Sequence, residues 1–419
     1  MSLALDAIYA VVAAATAPWW MRKARSGWGE RFGGVPVLPA PRPGARRLLL
    51  HTVSVGETNL IRPLVDLLLP DVDLVVSATT DTGLARARQL YGSRCHVTRF
   101  PLDASWSVRK FLDAVRPDAV ALVELELWPN FASLCEQRGI PVAVINGRLS
   151  ARSFKRYRLG RGFIGRHFRR LRFAAVQDSS YADRFRYMGV AKERCYVAGS
   201  MKWDAADVSD SVPGAEELAA ELGIDRARPL IVAGSTAPGE HELLHAAVPD
   251  GVQLLCAPRR PEWFDQAALA LPGCIRRSSA TRAHRGSPGG GRFLLDTIGE
   301  LRKAYALADV AVVGRSFGTL YGSDPMEPAA LGKPVVIGPS WSDFAQAVQA
   351  LKQSGGIAEV PAAGLGPLLT RLMSDSEERV RMSAAARRCV LEHQGASLRH
   401  RDLLLEMLGV RGCGKEQLG

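Results

Sequence analysis

Short, continuously apolar runs alternate with amphipathic or polar stretches along most of the chain. Residues 47–53, 73–79, 95–100, 119–123, 141–146 and 173–177 predict strands, and 56–69, 83–91, 106–115, 129–137 and 151–170 predict the helices between them. Strands that are apolar throughout, rather than at every second residue, belong to a parallel sheet covered on both faces. The pattern then restarts. Residues 230–233, 252–257, 292–295, 310–313 and 334–337 predict further strands, 241–247 a helix, and 376–408 a charged helical region. The polar, proline-containing stretch 207–214 separates the halves, and the segment around 196–204 closes the first. Two doubly wound, Rossmann-like α/β domains facing a central cleft are the predicted architecture, over residues 26–206 and 207–419. Residues 276–291 are basic, rich in Ser and Gly and without period, which predicts a mobile surface loop.

The N-terminus is of another kind. Residues 3–20 are almost wholly apolar, broken by Asp6, closed by Trp19 and Trp20 and followed by Arg22, Lys23 and Arg25. About 18 apolar residues just suffice to span a bilayer. The tryptophans and the following cations mark a headgroup level and a cytoplasmic flank. A cleavable signal would carry its charges before the apolar part. Residues 1–25 are therefore expected to be an uncleaved membrane-anchor helix, spanning the inner membrane or lying along its surface, with the body on the cytoplasmic face; a buried core helix is the other alternative.

Composition narrows the chemistry. A formal net charge of +12 favours anionic partners, although a genome that encodes Arg freely would give the same excess. The Arg-rich stretch 152–172 interleaves Phe154, Tyr157, Phe163 and Phe168, a pattern that suits nucleic acid or, on an anchored protein, phosphorylated lipid headgroups. Seven scattered cysteines with no CxxC pair argue against a disulfide framework or a cysteine-rich zinc site. The first glycine loops, around Gly56 and Gly83, do not match GxGxxG, which argues against a dinucleotide cofactor.

Candidate chemistry sits where strands end. Asp324-Pro325-Met326-Glu327-Pro328 follows strand 308–314, and an acidic residue opening a helix there suits ribose hydroxyls, with helix amides for phosphate. Glu57 stands where the first strand gives way to a helix. Its two readings are a base reaching an acceptor hydroxyl and a first-turn Glu complementing the helix dipole. Glu124 and Glu126, two apart, would share a face of an extended segment unless the strand ends between them.

The motifs form an ordered series. They are Trp28-Gly29-Glu30-Arg31-Phe32-Gly33, His51-Thr52-Val53-Ser54-Val55-Gly56-Glu57, Pro101-Leu102-Asp103, Glu124-Leu125-Glu126-Leu127-Trp128-Pro129-Asn130, Asn146-Gly147-Arg148, Gly199-Ser200-Met201-Lys202-Trp203-Asp204, Gly234-Ser235-Thr236, Pro258-Arg259-Arg260-Pro261, Asp296-Thr297-Ile298-Gly299-Glu300 and Met326-Glu327-Pro328. This series resembles the 3-deoxy-D-manno-octulosonic acid (Kdo) transferases of lipopolysaccharide synthesis over nearly the whole chain. The resemblance implies a GT-B fold, CMP-Kdo as donor substrate, a lipid A precursor as acceptor, inversion at the anomeric carbon, and no metal or other cofactor. It implies that Glu57 is the catalytic base and that Glu124 and Lys202 stabilise the transition state. It places Pro258, Arg259, Ile298, Gly299, Glu300, Ser316, Asp324, Pro325, Met326 and Glu327 at the nucleotide, with Arg259 on the phosphate and Glu327 on the ribose. The chain departs from the family pattern at three places. Tyr321-Gly322-Ser323-Asp324 stands for Gly-Gly-His-Asn, Gly314-Arg315 for a glycine pair, and Arg259-Arg260-Pro261 for Arg-His-Pro.

Four competing readings remain: a GT-B enzyme with another nucleotide-sugar donor, a non-enzymatic nucleotide or lipid binder, a nucleic-acid binder, and a zinc protease. The last rests on His241-Glu242-Leu243-Leu244-His245, an HExxH match that lacks a third ligand at the expected spacing.

Overall fold

In the computed structural model, which describes residues 6, 9, 26–280 and 291–411, every residue of the strands Arg47–Thr52 (β1), Ala119–Val123 (β4) and Val142–Gly147 (β5) is buried. Burial on both sides follows from their composition and splits by period two. Leu49, Val120, Leu122, Val142 and Val144 pack into one core, and Leu48, Leu50, Ala121, Val123 and Ile145 into another across the sheet. With Asp73–Ala78 (β2), His96–Arg99 (β3), Ala174–Val176 (β6) and Cys195–Val197 (β7), they form a seven-stranded parallel sheet of order β3-β2-β1-β4-β5-β6-β7. The first compact unit holds this sheet.

The second unit, Ala206–His393, repeats the plan. Its strands are Leu230–Thr236 (β8), Gln253–Pro258 (β9), Ile275–Arg276 (β10), Arg292–Leu294 (β11), Val310–Val313 (β12), Val335–Ile337 (β13) and Ile357–Glu359 (β14). They are all parallel, in the order β10-β11-β9-β8-β12-β13-β14. Each sheet therefore has a switch point where successive strands depart to opposite sides: between β1 and β4 in the first, and between β8 and β12 in the second. Ligands of open α/β sheets bind outside the carboxyl ends of strands at such points.

Several elements differ from expectation for physical reasons. The helix expected over 56–69 is two, Val55–Leu60 and Arg62–Leu68, because Pro63 supplies no N–H and starts the second. The stretch 151–170 breaks at Gly160 into Ala151–Leu159 and Arg161–Arg169. The region 376–408 is also two helices, Ser376–His393 and Ala396–Leu408, parted at Gly395 with φ +90°. The second of them belongs to the first unit, where Leu404 and Leu405 pack against helix Arg62–Leu68. Asp204 accepts the Gly395 and Ser397 N–H groups at its start, and His400 Nε2 accepts the Asn146 N–H at 2.7 Å.

The anchor expected over residues 1–25 lies outside the described residues, apart from Asp6 and Tyr9. The Asp6 carboxylate accepts the Ser105 N–H and an Asn130 amide hydrogen, and the Tyr9 hydroxyl donates to Asp103. Among the described residues no helix is long and apolar enough to cross a membrane. Part of the loop expected over 276–291 is ordered by ion pairs, Arg276 to Asp296 at 2.7 Å and Arg277 to Glu300 at 3.1 Å, while 281–290 lie outside the described residues.

Arg47 is the most exacting buried charge. It is fully buried, pairs with Asp73 at 2.6 Å, and donates to the carbonyls of Val115 and Pro39. Removing one partner leaves the other uncompensated, which costs about 3–5 kcal/mol. Asp73→Ala is expected to lower the first unit's unfolding transition in scanning calorimetry and leave the second unit's in place. Equal shifts of both would contradict this.

Candidate functional site

At the first switch point the chain leaves β1 through Ser54, whose extended backbone and hydroxyl make it the N-cap of helix Val55–Leu60. The Ser54 hydroxyl accepts the Glu57 N–H, and Glu57 reaches back: Oε2 accepts the Val53 N–H at 2.8 Å and Oε1 the Ser54 hydroxyl at 3.1 Å. This is capping-box chemistry, so Glu57 does serve the helix start. Burial and the neighbouring Glu124 charge nevertheless raise its carboxyl above the usual range, against the opposing pull of the Val53 N–H and the Ser54 hydroxyl.

β4 ends before both of the other glutamates. Glu124 is left-handed at φ +61°, with its N–H on the Ile145 carbonyl, and the Trp128 N–H closes a turn onto Glu126. The two carboxylates thus do not share a strand face. Both remain in the field of Glu57, and burial with the Glu57 charge pushes Glu126 up to about 7. Three acidic groups meet at this edge, and Glu126 is the one that sequence reading did not assign. Lys202 sits on the turn after β7, where the Met201 N–H bonds the Asn146 side-chain oxygen. Among the described residues no ion pair joins Lys202 to any of the three carboxylates.

The other first-unit motifs brace this edge. His51 is buried, hydrogen-bonded to Ser77 at 3.0 Å and stacked on Phe100, and burial drives it down to about 3, so it stays neutral. Asp103 accepts the Asn130 and Phe131 N–H groups and joins the Pro101 and Pro129 motifs; burial holds it up at about 6. Gly33 lies so close to Ser107 that a Cβ would fall 2.2 Å from its carbonyl oxygen.

At the second switch point the expected donor residues fall into two groups. Arg259 is exposed at the end of β9, after buried Pro258, with its N–H on the Thr236 carbonyl. Ile298 is 68% exposed, and Gly299 follows at φ +95°. Asp324 is exposed, accepts the N–H of buried Met326 after Pro325, and with burial raises the Glu327 carboxyl on the first turn of helix Met326–Ala330. Of these, Arg259, Ile298 and Asp324 are exposed, Glu327 is half-buried, and Pro258, Pro325 and Met326 are buried.

Two are otherwise engaged. Ser316 is fully buried, its hydroxyl donating to the Val313 carbonyl and accepting the Gly338 N–H, so it braces the loop instead of offering the hydroxyl expected of it. Glu300 binds Thr297, Arg277 and Lys303. Burial alone would raise its carboxyl, but these bonds hold it below the ordinary value.

Sequence reading missed Glu240, which is 4% exposed and accepts four backbone N–H groups, from Ala237, Arg315, Ser316 and Phe317. Its only local signal is a Glu following left-handed Gly239. The HExxH histidines next to it hold no common ligand. His241 is buried on the Thr236 hydroxyl at 2.9 Å and His245 accepts from Arg292, and no metal-binding group of three His, Cys, Asp or Glu exists among the described residues.

Comparison with known proteins identifies the family. A family model described as 3-deoxy-D-manno-octulosonic-acid transferase (kdotransferase) matches residues 26–205. The 3-deoxy-D-manno-octulosonic acid transferase of Bordetella pertussis is 31% identical over 93% of this chain and 96% of its own length. That of Haemophilus influenzae is 30% identical over 90% of each. The chain belongs to the Kdo transferase family. A glycosyltransferase of Rickettsia africae, 13% identical, shares the fold over 87% of this chain and 99% of that one with a TM-score of 0.58, in keeping with a GT-B architecture. The chain is thus a glycosyltransferase that transfers Kdo.

The raised Glu126 carboxyl links this Kdo transferase's stability to pH. A carboxyl lifted from 4.5 to about 7 on folding contributes stability that is complete below pH 4.5 and lost as pH rises through about 7. Glu126→Gln is expected to melt above the wild-type protein at pH 8 and level with it near pH 4.5. A melting difference that does not vary with pH would contradict the assignment.

Proposed function

We propose that the protein transfers Kdo from CMP-Kdo to a hydroxyl of a lipid A precursor, lipid IVA, at the cytoplasmic face of the inner membrane, with inversion and without a metal. The observation that carries this reading is Glu57, a carboxylate at the switch point whose affinity for a proton is raised by burial and by Glu124. A base matched to neutral pH needs such a shift. Each Glu57 oxygen makes one hydrogen bond to the protein, so a lone pair remains for an acceptor hydroxyl. As the hydroxyl oxygen attacks the anomeric carbon, Glu57 takes its proton and CMP departs with the bonding electrons. One displacement inverts the centre. Glu124 and Lys202 are assigned to charge development in that step. In the second unit, Arg259 is assigned to the phosphate and Glu327 to the ribose.

The lipid acceptor and the membrane are supported by helices Ala151–Leu159 and Arg161–Arg169. The first has no buried residue, Leu159 is 88% exposed and Phe163 42%, and the charged residues of both helices are all basic or His. That combination suits an anionic bilayer surface. Glu126 raises the Tyr157 hydroxyl, after burial, which sets this basic helix beside the carboxylates. Stacking on nucleic-acid bases has less support, because Phe154 packs on Tyr187, Tyr157 on Phe168, and Phe168 is fully buried.

Asp324 adds a negative charge beside Glu327 and makes the donor the point to test. Radiolabelled CMP-Kdo, other CMP-sugars and UDP-sugars, each incubated with lipid IVA and resolved by lipid chromatography, are expected to give product with CMP-Kdo alone. Glu57→Ala is expected to slow transfer on the order of 10²- to 10⁴-fold with the donor KM little changed. Full transfer by that variant would remove the base from Glu57, and product from a UDP-sugar would replace the donor.

A further inference from the structure

Backbone amides at a glycine-containing strand end are a ready cradle for phosphate. The loop following β12 has none to offer at its start. The N–H groups of Arg315, Ser316 and Phe317 point at the Glu240 carboxylate, at 2.7, 2.8 and 3.0 Å. The Ala237 N–H, from the loop following β8, joins them at 2.9 Å. Gly314 donates to the Gly234 carbonyl and lies so close to Thr236 that a Cβ would fall 2.5 Å from its Cα. One buried carboxylate thus ties the two loops of the switch point together and takes up their amides.

What the loop does present is a side chain. Arg315 has φ +58°, a region that L-residues other than Gly, Asn and Asp seldom occupy. Its backbone is pinned on both sides, by Glu240 at the N–H and by the Gly322 N–H on its carbonyl at 2.9 Å. Its guanidinium has no hydrogen bond or ion pair among the described residues, although carboxylates stand further along the same loop at Asp324 and Glu327. Arg259, at the end of β9, is equally free and is tied to β8 through the Thr236 carbonyl. A strained arginine with an idle guanidinium, at the end of one neighbour of β8 while Arg259 ends the other, and with the loop amides already taken, is what an anionic ligand would need here.

We propose that Arg315 is a donor ligand whose guanidinium binds the phosphate of the nucleotide sugar, in the role that the loop amides cannot fill. Glu240 is the positioning residue that fixes the backbone from which Arg315 projects. The assignment rests on the donor reading above. It also explains how an edge carrying the Asp324 and Glu327 carboxylates accepts an anionic substrate: the guanidiniums of Arg259 and Arg315, from the two strands that flank β8, offset them.

Arg315→Gly separates a structural role from a binding role. Glycine adopts φ +58° without strain, so the variant is expected to melt at the wild-type temperature or above it. Its KM for CMP-Kdo is expected to rise by about tenfold or more, with kcat changed less, and Arg315→Lys to recover part of the loss. A KM within about twofold of wild type would overturn the proposal. Calorimetric titration with CMP and UMP separates it from the donor reading. If the wild-type protein does not use CMP-Kdo but binds one of these nucleotides, the donor reading falls. Loss of that binding in Arg315→Gly then sustains the proposal, and its retention overturns it. If wild type binds neither nucleotide, both fall.

Discussion

A parallel sheet buried on both faces leaves the terminal amides of its strands without ladder partners, and in each unit carboxylates supply the missing acceptors. At the amino edge the solution is the same in both: Asp118, just before β4, accepts the first N–H of β1 at 2.7 Å, and Asp309, just before β12, accepts the first N–H of β8 at 2.8 Å. At the carboxyl edge the units diverge. The first uses Glu57 on the Val53 N–H and the second uses Glu240 on four amides. An unsatisfied buried amide costs about 1–3 kcal/mol, so these carboxylates are required by the fold before they serve any reaction.

The divergence separates two kinds of chemistry. Glu57 is only partly buried, makes two bonds, and lies in the fields of Glu124 and Glu126. Mutual repulsion and partial desolvation raise its proton affinity and leave lone pairs for a ligand. Glu240 is buried with its acceptor sites filled by N–H groups, which leaves it nothing to offer a substrate. The same residue type at equivalent edges keeps lone pairs free in one unit, where the proposed reaction needs a proton acceptor, and is a brace in the other. The number of amides it must satisfy makes the difference.

Much of this was legible in the sequence. Continuous apolar runs located the strands of both sheets, because burial on both faces removes the polar alternation. Glu57 and Glu124 were singled out by the resemblance of the motif series, while Arg259 after its strand and Glu327 opening its helix stand at the sheet edge where open α/β folds bind ligands. What was not legible depends on distant contacts or on backbone sign. Glu240 meets Arg315 and its neighbours some 75 positions away, and no local pattern announces that. The left-handed turn at Glu124 overrode the period-two argument for Glu124 and Glu126. Ser316 kept the residue type of a ligand, but its strand packs so closely against the next that the hydroxyl serves Val313 and Gly338. Helix Ala396–Leu408 continues the helical pattern before it, and only the Asp204 and His400 contacts reveal that it returns to the first unit.

The second unit's carboxyl edge also favours side chains over amides for the anion recognition proposed there. The helices that open there, Leu301–Leu307 and Met326–Ala330, have seven and five residues. So few aligned peptide dipoles sum to a weak field. Acidic side chains at their starts weaken it further: Glu300 stands at the N-cap position of one, and Asp324 takes the Met326 N–H of the other. With helix dipoles short and the Arg315–Phe317 amides committed to Glu240, positive charge at this edge comes from guanidiniums such as those of exposed Arg259 and half-buried Arg315. A guanidinium keeps its charge at any working pH and binds two oxygens at once. It is therefore the group suited to hold an anion at an edge where nearby carboxylates would defeat the partial charges of a few N–H groups.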